Sequence, residues 1–115
     1  MKRALLIFAS VILASPSYAM LNEFQLQQMV GWTIIASKTI EGHITEEGKR
    51  SDDFEGCDFG TQIVFTDGKA VTCTGYGYQY AYRPTAIIFA KSLEYKGKNM
   101  TLMKMLVQGQ FYDVR

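Results

Sequence analysis

The residues able to do chemistry are few, and most lie in the middle of the chain. Histidine occurs once, at His43, and the two cysteines are Cys57 and Cys73. A catalytic site needs an acid, a base or a nucleophile held beside a partner group, whereas a lone histidine is more often structural or solvated. Serines outside the first 20 residues stand in no recognisable nucleophile motif. A hydrolase-type enzyme using carboxylates and His43 is therefore only the alternative function.

The largest polar cluster is acidic and lies in residues 45–60, a stretch of charges and glycines. Carboxylate-rich loops can bind Ca²⁺, and extracellular modules do so with a Kd of about 10⁻⁴–10⁻³ M. The spacing differs from the EF-hand pattern, and Lys49 and Arg50 partly neutralise the charge. We therefore favour a long, solvated and mobile loop, with no metal and no other cofactor. The weak calcium candidates are Asp52, Asp53, Glu55 and Asp58.

A row of tyrosines follows the second cysteine. Successive side chains of a strand point to opposite faces, so tyrosines on alternate residues would share one face of a straight strand. Rigid tyrosine rings could form a ligand platform. The ordinary explanation, which we favour, is a half-buried strand whose hydroxyls stay wet. The residues of the binding hypothesis are Tyr76, Tyr78, Tyr80, Tyr82 and Arg83.

The opposite face of the same stretch, from residue 73 to residue 81, carries mostly small side chains. Glycines in a strand often mark a bulge, a bend or the close approach of another backbone. That smooth face, around Gly75 and Gly77, is one candidate seat for a helix.

The clearest turn precedes this row. Asp67-Gly68 lies between two runs rich in β-branched and aromatic residues, 61–65 and 70–74. Asp followed by Gly suits the positive φ angles of a type I′ turn. The pattern predicts a hairpin with a two-residue loop, in which Thr66 pairs with Lys69.

The first 19 residues have the features of a secretory signal peptide. Lys2-Arg3 precedes an apolar run, and Ser17-Tyr18-Ala19 fits the small-x-small cleavage rule. The apolar run is shorter than the ~20 residues of a membrane span. Cleavage would leave residues 20–115 as one small domain with a formal charge of −1 instead of +1, because two basic residues leave with the signal. We predict an exported protein, in the bacterial periplasm or outside the cell, with no membrane span and no nucleic-acid partner.

An exported chain meets an oxidising compartment, so a disulfide between Cys57 and Cys73 is expected. In the chain-entropy model, closing a loop of about 15 residues contributes ~3 kcal/mol. Such a brace matters because a chain of this size buries only ~60–70% of its unfolded surface.

The remaining patterns predict one helix and several strands. Residues 21–30 suit a short helix with a capping box formed by Asn22 and Gln25, ended by Gly31. Residues 32–44 suit a strand, with a bulge or bend at Glu41-Gly42. Apolar runs follow at 85–95 and 100–108, joined by a turn at either Gly97-Lys98 or Lys98-Asn99, and residues 111–114 could add an edge strand.

These elements predict a mainly β fold of the α+β class. A short N-terminal helix would pack on an antiparallel β-meander of about five strands, as a curled sheet or a small open barrel. The function predicted best is a small exported binding or interaction module, whose partner is an unknown small ligand or protein. The oligomeric state stays open.

Overall fold

The computed structural model describes residues 21–115, so the predicted signal peptide, residues 1–19, lies outside the described residues. The described part has one helix, α1 (Glu23–Gln27), and seven strands. The strands are β1 (Thr33–Ile44), β2 (Arg50–Ser51), β3 (Gln62–Phe65), β4 (Ala70–Thr72), β5 (Thr85–Tyr95), β6 (Lys98–Val107) and β7 (Gln110–Val114). The predicted fold class, mainly β with a short helix, is confirmed.

The strands form one antiparallel sheet in the order β4-β3-β1-β5-β6-β7, with β2 paired to the end of β1. The order is not a simple meander, because β1 lies between β3 and β5. A register shift between Ile40 and Gly42 bends β1, as predicted, so that its two halves face different partners. The sheet curls into a half-barrel. Its two edges, after β4 and at the end of β7, are joined by an isolated bridge between Cys73 and Val114.

The interior of the curl is filled by alternate, inward-facing residues of the strands. The largest fully buried side chains include Phe54, Phe65, Ile40, Ile63, Met105 and Val107. Phe54 packs edge-on against Tyr112, with ring centroids 5.5 Å apart. Phe54 belongs to the segment predicted to be a long, solvated and mobile loop. The segment is largely irregular, but it is not solvated throughout, because Phe54 and Cys57 are buried. The segment contains β2, and Phe54 and Ala81 exchange two backbone hydrogen bonds of 2.9 and 3.0 Å.

The β3–β4 hairpin differs from the predicted register by one residue. Val64 pairs with Ala70, and the backbone N–H of Phe65 donates to the carbonyl oxygen of Lys69 at 2.8 Å. The loop therefore has three residues, 66–68, of which only Gly68 has a positive φ, +86°. A type I turn followed by a left-handed glycine satisfies this loop without forcing Asp67 into a positive φ.

The turns with positive φ at both central residues are found elsewhere. Lys96 (φ +52°) and Gly97 (φ +77°) join β5 to β6, so that Tyr95 pairs with Lys98. Both predicted positions for this turn are therefore wrong. The observed register places Lys91 opposite Leu102 and avoids a lysine facing a lysine.

Helix α1 has the predicted capping box. The Asn22 side chain accepts from the Gln25 N–H at 2.8 Å, and the Gln25 side chain accepts from the Asn22 N–H at 3.0 Å. The helix buries none of its residues fully. The segment that follows it lies over the outer face of β5 and β6, where Trp32 sits 6.0 Å from the Lys91 ammonium and 5.6 Å from that of Lys104. The smooth face around Gly75 and Gly77 is not its seat.

Candidate binding surface

The tyrosine segment, residues 75–82, is held against the half-barrel at several points. Just before it, Thr74 donates its N–H to the Asp113 carbonyl at 2.9 Å. Gly77 then exchanges two backbone hydrogen bonds with Cys57, at 2.8 and 3.0 Å, and Ala81 does the same with Phe54. The predicted disulfide between Cys57 and Cys73 is present and joins the same two stretches of chain. The backbone of the tyrosine segment is thus held at Gly77, at Ala81 and just before its start.

Small residues allow this close packing. A Cβ atom on Gly77 would lie 2.9 Å from the ring of Tyr112 and from the amide nitrogen of Gln110. Gly56 has a φ of +87°, and a Cβ there would overlap the carbonyl oxygen of Gly77. The smooth face predicted from the glycines therefore exists, and β7 occupies it.

Tyr112 anchors this contact from below. It is 3% exposed, and its hydroxyl donates a hydrogen bond of 2.7 Å to the side-chain oxygen of Gln79. Burial raises the pKa of Tyr112 to about 12, because the charged phenolate is disfavoured away from water. The sequence did not indicate that Tyr112 supports the tyrosine segment, since Tyr112 is simply one of the alternating residues of a short predicted edge strand.

The four rings of the tyrosine row point outward. Their exposed fractions are 77% for Tyr76, 75% for Tyr78, 57% for Tyr80 and 69% for Tyr82. The intervening residues are buried or half-buried. The alternation predicted from the sequence is therefore present. The predicted strand is not, because residues 74–84 form only isolated bridges at Gly77 and Ala81, and the rings are more exposed than a half-buried strand would leave them.

Charged groups stand at both ends of the row. Arg83, in a left-handed conformation with φ +47°, places its guanidinium 5.7 Å from the centre of the Tyr82 ring. At the other end, a shallow groove runs between the exposed Glu55 and Asp58 and the rings of Tyr76 and Tyr78. A ligand along the row would meet the Asp58 carboxylate near one end, the Glu55 carboxylate between the two bridges and a guanidinium at the other end.

The four calcium candidates do not converge. Among the described residues, no group of three or more His, Cys, Asp or Glu side chains could hold a metal ion. Asp52 lies 4.0 Å from the Arg50 guanidinium, which also pairs with Glu41 at 3.2 Å. Asp53 turns inward instead, toward His43, while Glu55 and Asp58 border the groove.

His43 occupies a structural position. It is 6% exposed, and its Nδ1 lies 2.7 Å from the backbone oxygen of Asp53. Because a carbonyl can only accept, Nδ1 carries the proton and donates. The Oδ1 atom of Asp53 lies 3.6 Å from the same nitrogen and is buried with no hydrogen-bond partner in the described structure. The histidine therefore fastens the acidic segment to β1.

Comparison with known proteins returns no match among protein-family models, curated proteins or solved structures. Within residues 21–115, no helix is long and apolar enough to cross a membrane.

Proposed function

We propose that the chain is a small exported binding module and that its contact surface is the tyrosine row, Tyr76, Tyr78, Tyr80 and Tyr82, with Arg83 at one end. The observation that carries the proposal is the exposure of four rings on one fixed backbone segment. Contiguous exposed aromatic surface of this kind marks interaction sites. The disulfide is consistent with an oxidising, exported environment.

Fixing the backbone lowers the entropic cost of binding. A tyrosine ring has few rotatable bonds, and hydrogen bonds at Gly77 and Ala81 already order the chain between them. Binding would therefore order little more than the rings themselves. Ring faces can stack on sugars, peptides or the edge of another protein.

The length and charge of the row indicate the shape of the ligand. From residue 76 to residue 82, an extended chain covers about 20 Å. Glu55 and Asp58 favour positive or hydrogen-donating groups beside Tyr76 and Tyr78, and Arg83 favours a negative or accepting group beyond Tyr82. The surface thus suits an elongated polar ligand rather than a compact apolar one.

Nuclear magnetic resonance of a chain with ¹³C-labelled tyrosine rings tests this proposal. The disulfide-bonded protein is titrated with a panel of soluble peptides and oligosaccharides. We expect ring signals of the row to shift with a binding ligand, while that of Tyr95, which lies on the β5–β6 hairpin, stays in place. Tyr80 and Tyr95 have nearly equal exposure, 57% and 58%, so Tyr95→Ala is a matched control for Tyr80→Ala. Shifts confined to tyrosines outside the row would contradict the proposal.

A further inference from the structure

The β5–β6 hairpin extends beyond the rest of the sheet as a two-stranded ribbon, defined here as residues 91–102. β1 pairs with β5 only as far as Ala90, and β7 pairs with β6 only as far as Met103. Beyond those points, residues 91–95 and 98–102 pair with each other alone within the described chain. At ~3.3 Å per residue, the ribbon projects about 16 Å.

The ribbon has two different faces. Residues directly opposite each other on an antiparallel pair share a face. One face carries the pairs Lys91/Leu102, Leu93/Met100 and Tyr95/Lys98, and the other carries Ser92/Thr101 and Glu94/Asn99. The first face is open to solvent, with Tyr95 58%, Met100 46% and Leu102 40% exposed. The ribbon is therefore amphipathic, and we call its first face the apolar face.

The apolar face continues onto the base of the ribbon. Phe89 is two residues before Lys91 and lies on the same face, but it is 9% exposed and packs near Phe111; its partner Ile34 is 61% exposed and extends the open surface. Trp32 lies close to the ammonium groups of Lys91 and Lys104. An aromatic residue thus stands at each end of this surface, Trp32 at the base and Tyr95 near the tip.

The charge of the chain is separated along β1. Near the start of β1, the ribbon and its base carry Lys91, Lys96, Lys98 and Lys104. Against them stand Glu94, on the opposite face, and Asp113, which pairs with Lys104. Beyond the end of β1 come the acidic residues of the segment 46–58. A net charge near zero hides this separation, which is why composition gave no hint of an anionic partner.

We propose that the apolar face of the ribbon docks on the surface of an anionic phospholipid membrane. Lysine stems can lie along an apolar contact while their ammonium groups reach lipid phosphates. Tryptophan and tyrosine prefer the headgroup level, where one end of the ring is wet. Unpaired backbone edges are costly in hydrocarbon, so the ribbon would lie at the headgroups and would not cross the bilayer.

The charges also argue against the ribbon of a second copy as the occupant. Two ribbons pairing edge to edge would bring lysines of both copies together, and lysines on an edge oppose such pairing. An evenly anionic surface instead meets every lysine of the apolar face at once. The proposal goes beyond the tyrosine row and does not depend on it.

Docking in this way would leave the tyrosine row free. Tyr112 points from β7 toward Gly77 of the tyrosine segment, whereas its neighbours in sequence point to the other face of β7. On that other face, Asp113 pairs with Lys104 at 2.6 Å, and Phe111 lines a groove with Phe24 and Met29 of the N-terminal segment. The tyrosine segment therefore packs on the Tyr112 face of β7 and the base of the apolar face on the other, and Gln79 borders the same groove as Phe111.

The test uses residues 20–115 in disulfide-bonded form, with vesicles of phosphatidylcholine alone or mixed with phosphatidylglycerol. Trp32 is the single tryptophan of the chain and lies at the proposed contact, so its emission reports docking directly. We expect a blue shift and co-sedimentation with the anionic vesicles only, both weakened by added salt. No shift and no co-sedimentation would overturn the proposal.

Variants locate the contact. K96E/K98E should lower vesicle partitioning at least about tenfold, and M100S/L102S should lower it with no change of charge. K49E/K69E makes the same charge change outside the ribbon and should leave partitioning within about twofold. Melting temperatures confirm that each variant is folded. Equal losses in K96E/K98E and K49E/K69E would overturn the proposal. The proposal would also be overturned if the chain did not bind anionic vesicles but used the ribbon to bind an acidic protein.

Discussion

The tyrosine segment and the ribbon both expose alternate large side chains, yet their backbones are supported differently. Residues 75–82 are hydrogen-bonded to the segment around Phe54 and Cys57, cover the ring of Tyr112 and follow directly on a disulfide-bonded cysteine. Residues 91–102 pair only with each other in the described structure. Exposed rings on a fixed backbone suit recognition of a defined ligand. Exposed apolar residues on a projecting hairpin suit contact with a surface that is the same in all lateral directions, such as a membrane. Variants in each region test whether this difference in support is real.

The largest effect is expected from removing the disulfide. C57S/C73S should lower the free energy of unfolding by ~3 kcal/mol, because the unfolded chain regains the entropy of an open loop. Denaturant unfolding measures the loss. Ring signals from the tyrosine row should broaden or shift, while Trp32 emission, which reports the base of the ribbon, should not change in the folded state. Equal disturbance of both regions would contradict the separation.

The next effect concerns the glycine contact with β7. Gly77→Ala should destabilise the fold by about 1–3 kcal/mol, since its Cβ would lie 2.9 Å from Tyr112 and Gln110. Gly75→Ala is the matched control, because its Cβ would meet Asp113 at an ordinary 3.8 Å. Thermal unfolding of the two variants gives the comparison. Similar melting temperatures would mean that β7 does not press on the tyrosine segment.

A smaller effect follows from the buried phenol of Tyr112. The folded chain holds this proton up to a pKa of about 12, whereas the ordinary value is 10. Between those values the unfolded state binds fewer protons, so the free energy of unfolding falls as pH rises from 10 to 12. Tyr112→Phe should remove up to about 2 kcal/mol of that fall. Measuring the free energy of unfolding of both chains at pH 10 and pH 12 tests this prediction. If the fall between the two pH values were the same in the variant, Tyr112 would be exposed to water.

Local patterns predicted much of the fold. The capping box at Asn22, the bulge in β1, strand β5 from residue 85 to residue 95 and the disulfide all depend on residues close in sequence or on cysteine count. The signal peptide stays a prediction from the same kind of pattern.

The failures share a physical cause, which is tertiary context. Asp67-Gly68 suits two turn types, and the chain uses the one that keeps Asp67 at negative φ. Phe54 stands among charges, so its burial became visible only once Ala81 paired with it. Alternation revealed the tyrosine row, but only the packing of β7 beneath Gly77 shows which side faces water.

The most direct test of the binding surface pairs stability with affinity. Tyr76, Tyr78, Tyr80 and Tyr82 are each changed to Ala, and Tyr95→Ala serves as the exposed tyrosine outside the row. Melting temperature and affinity for a ligand identified by the tyrosine titration are measured for every variant. We predict stability within about 0.5 kcal/mol of the unchanged chain and a loss of about 2 kcal/mol in affinity at one or more row positions, with none for Tyr95→Ala. Large stability losses at all four positions, or unchanged affinity at all of them, would contradict the account.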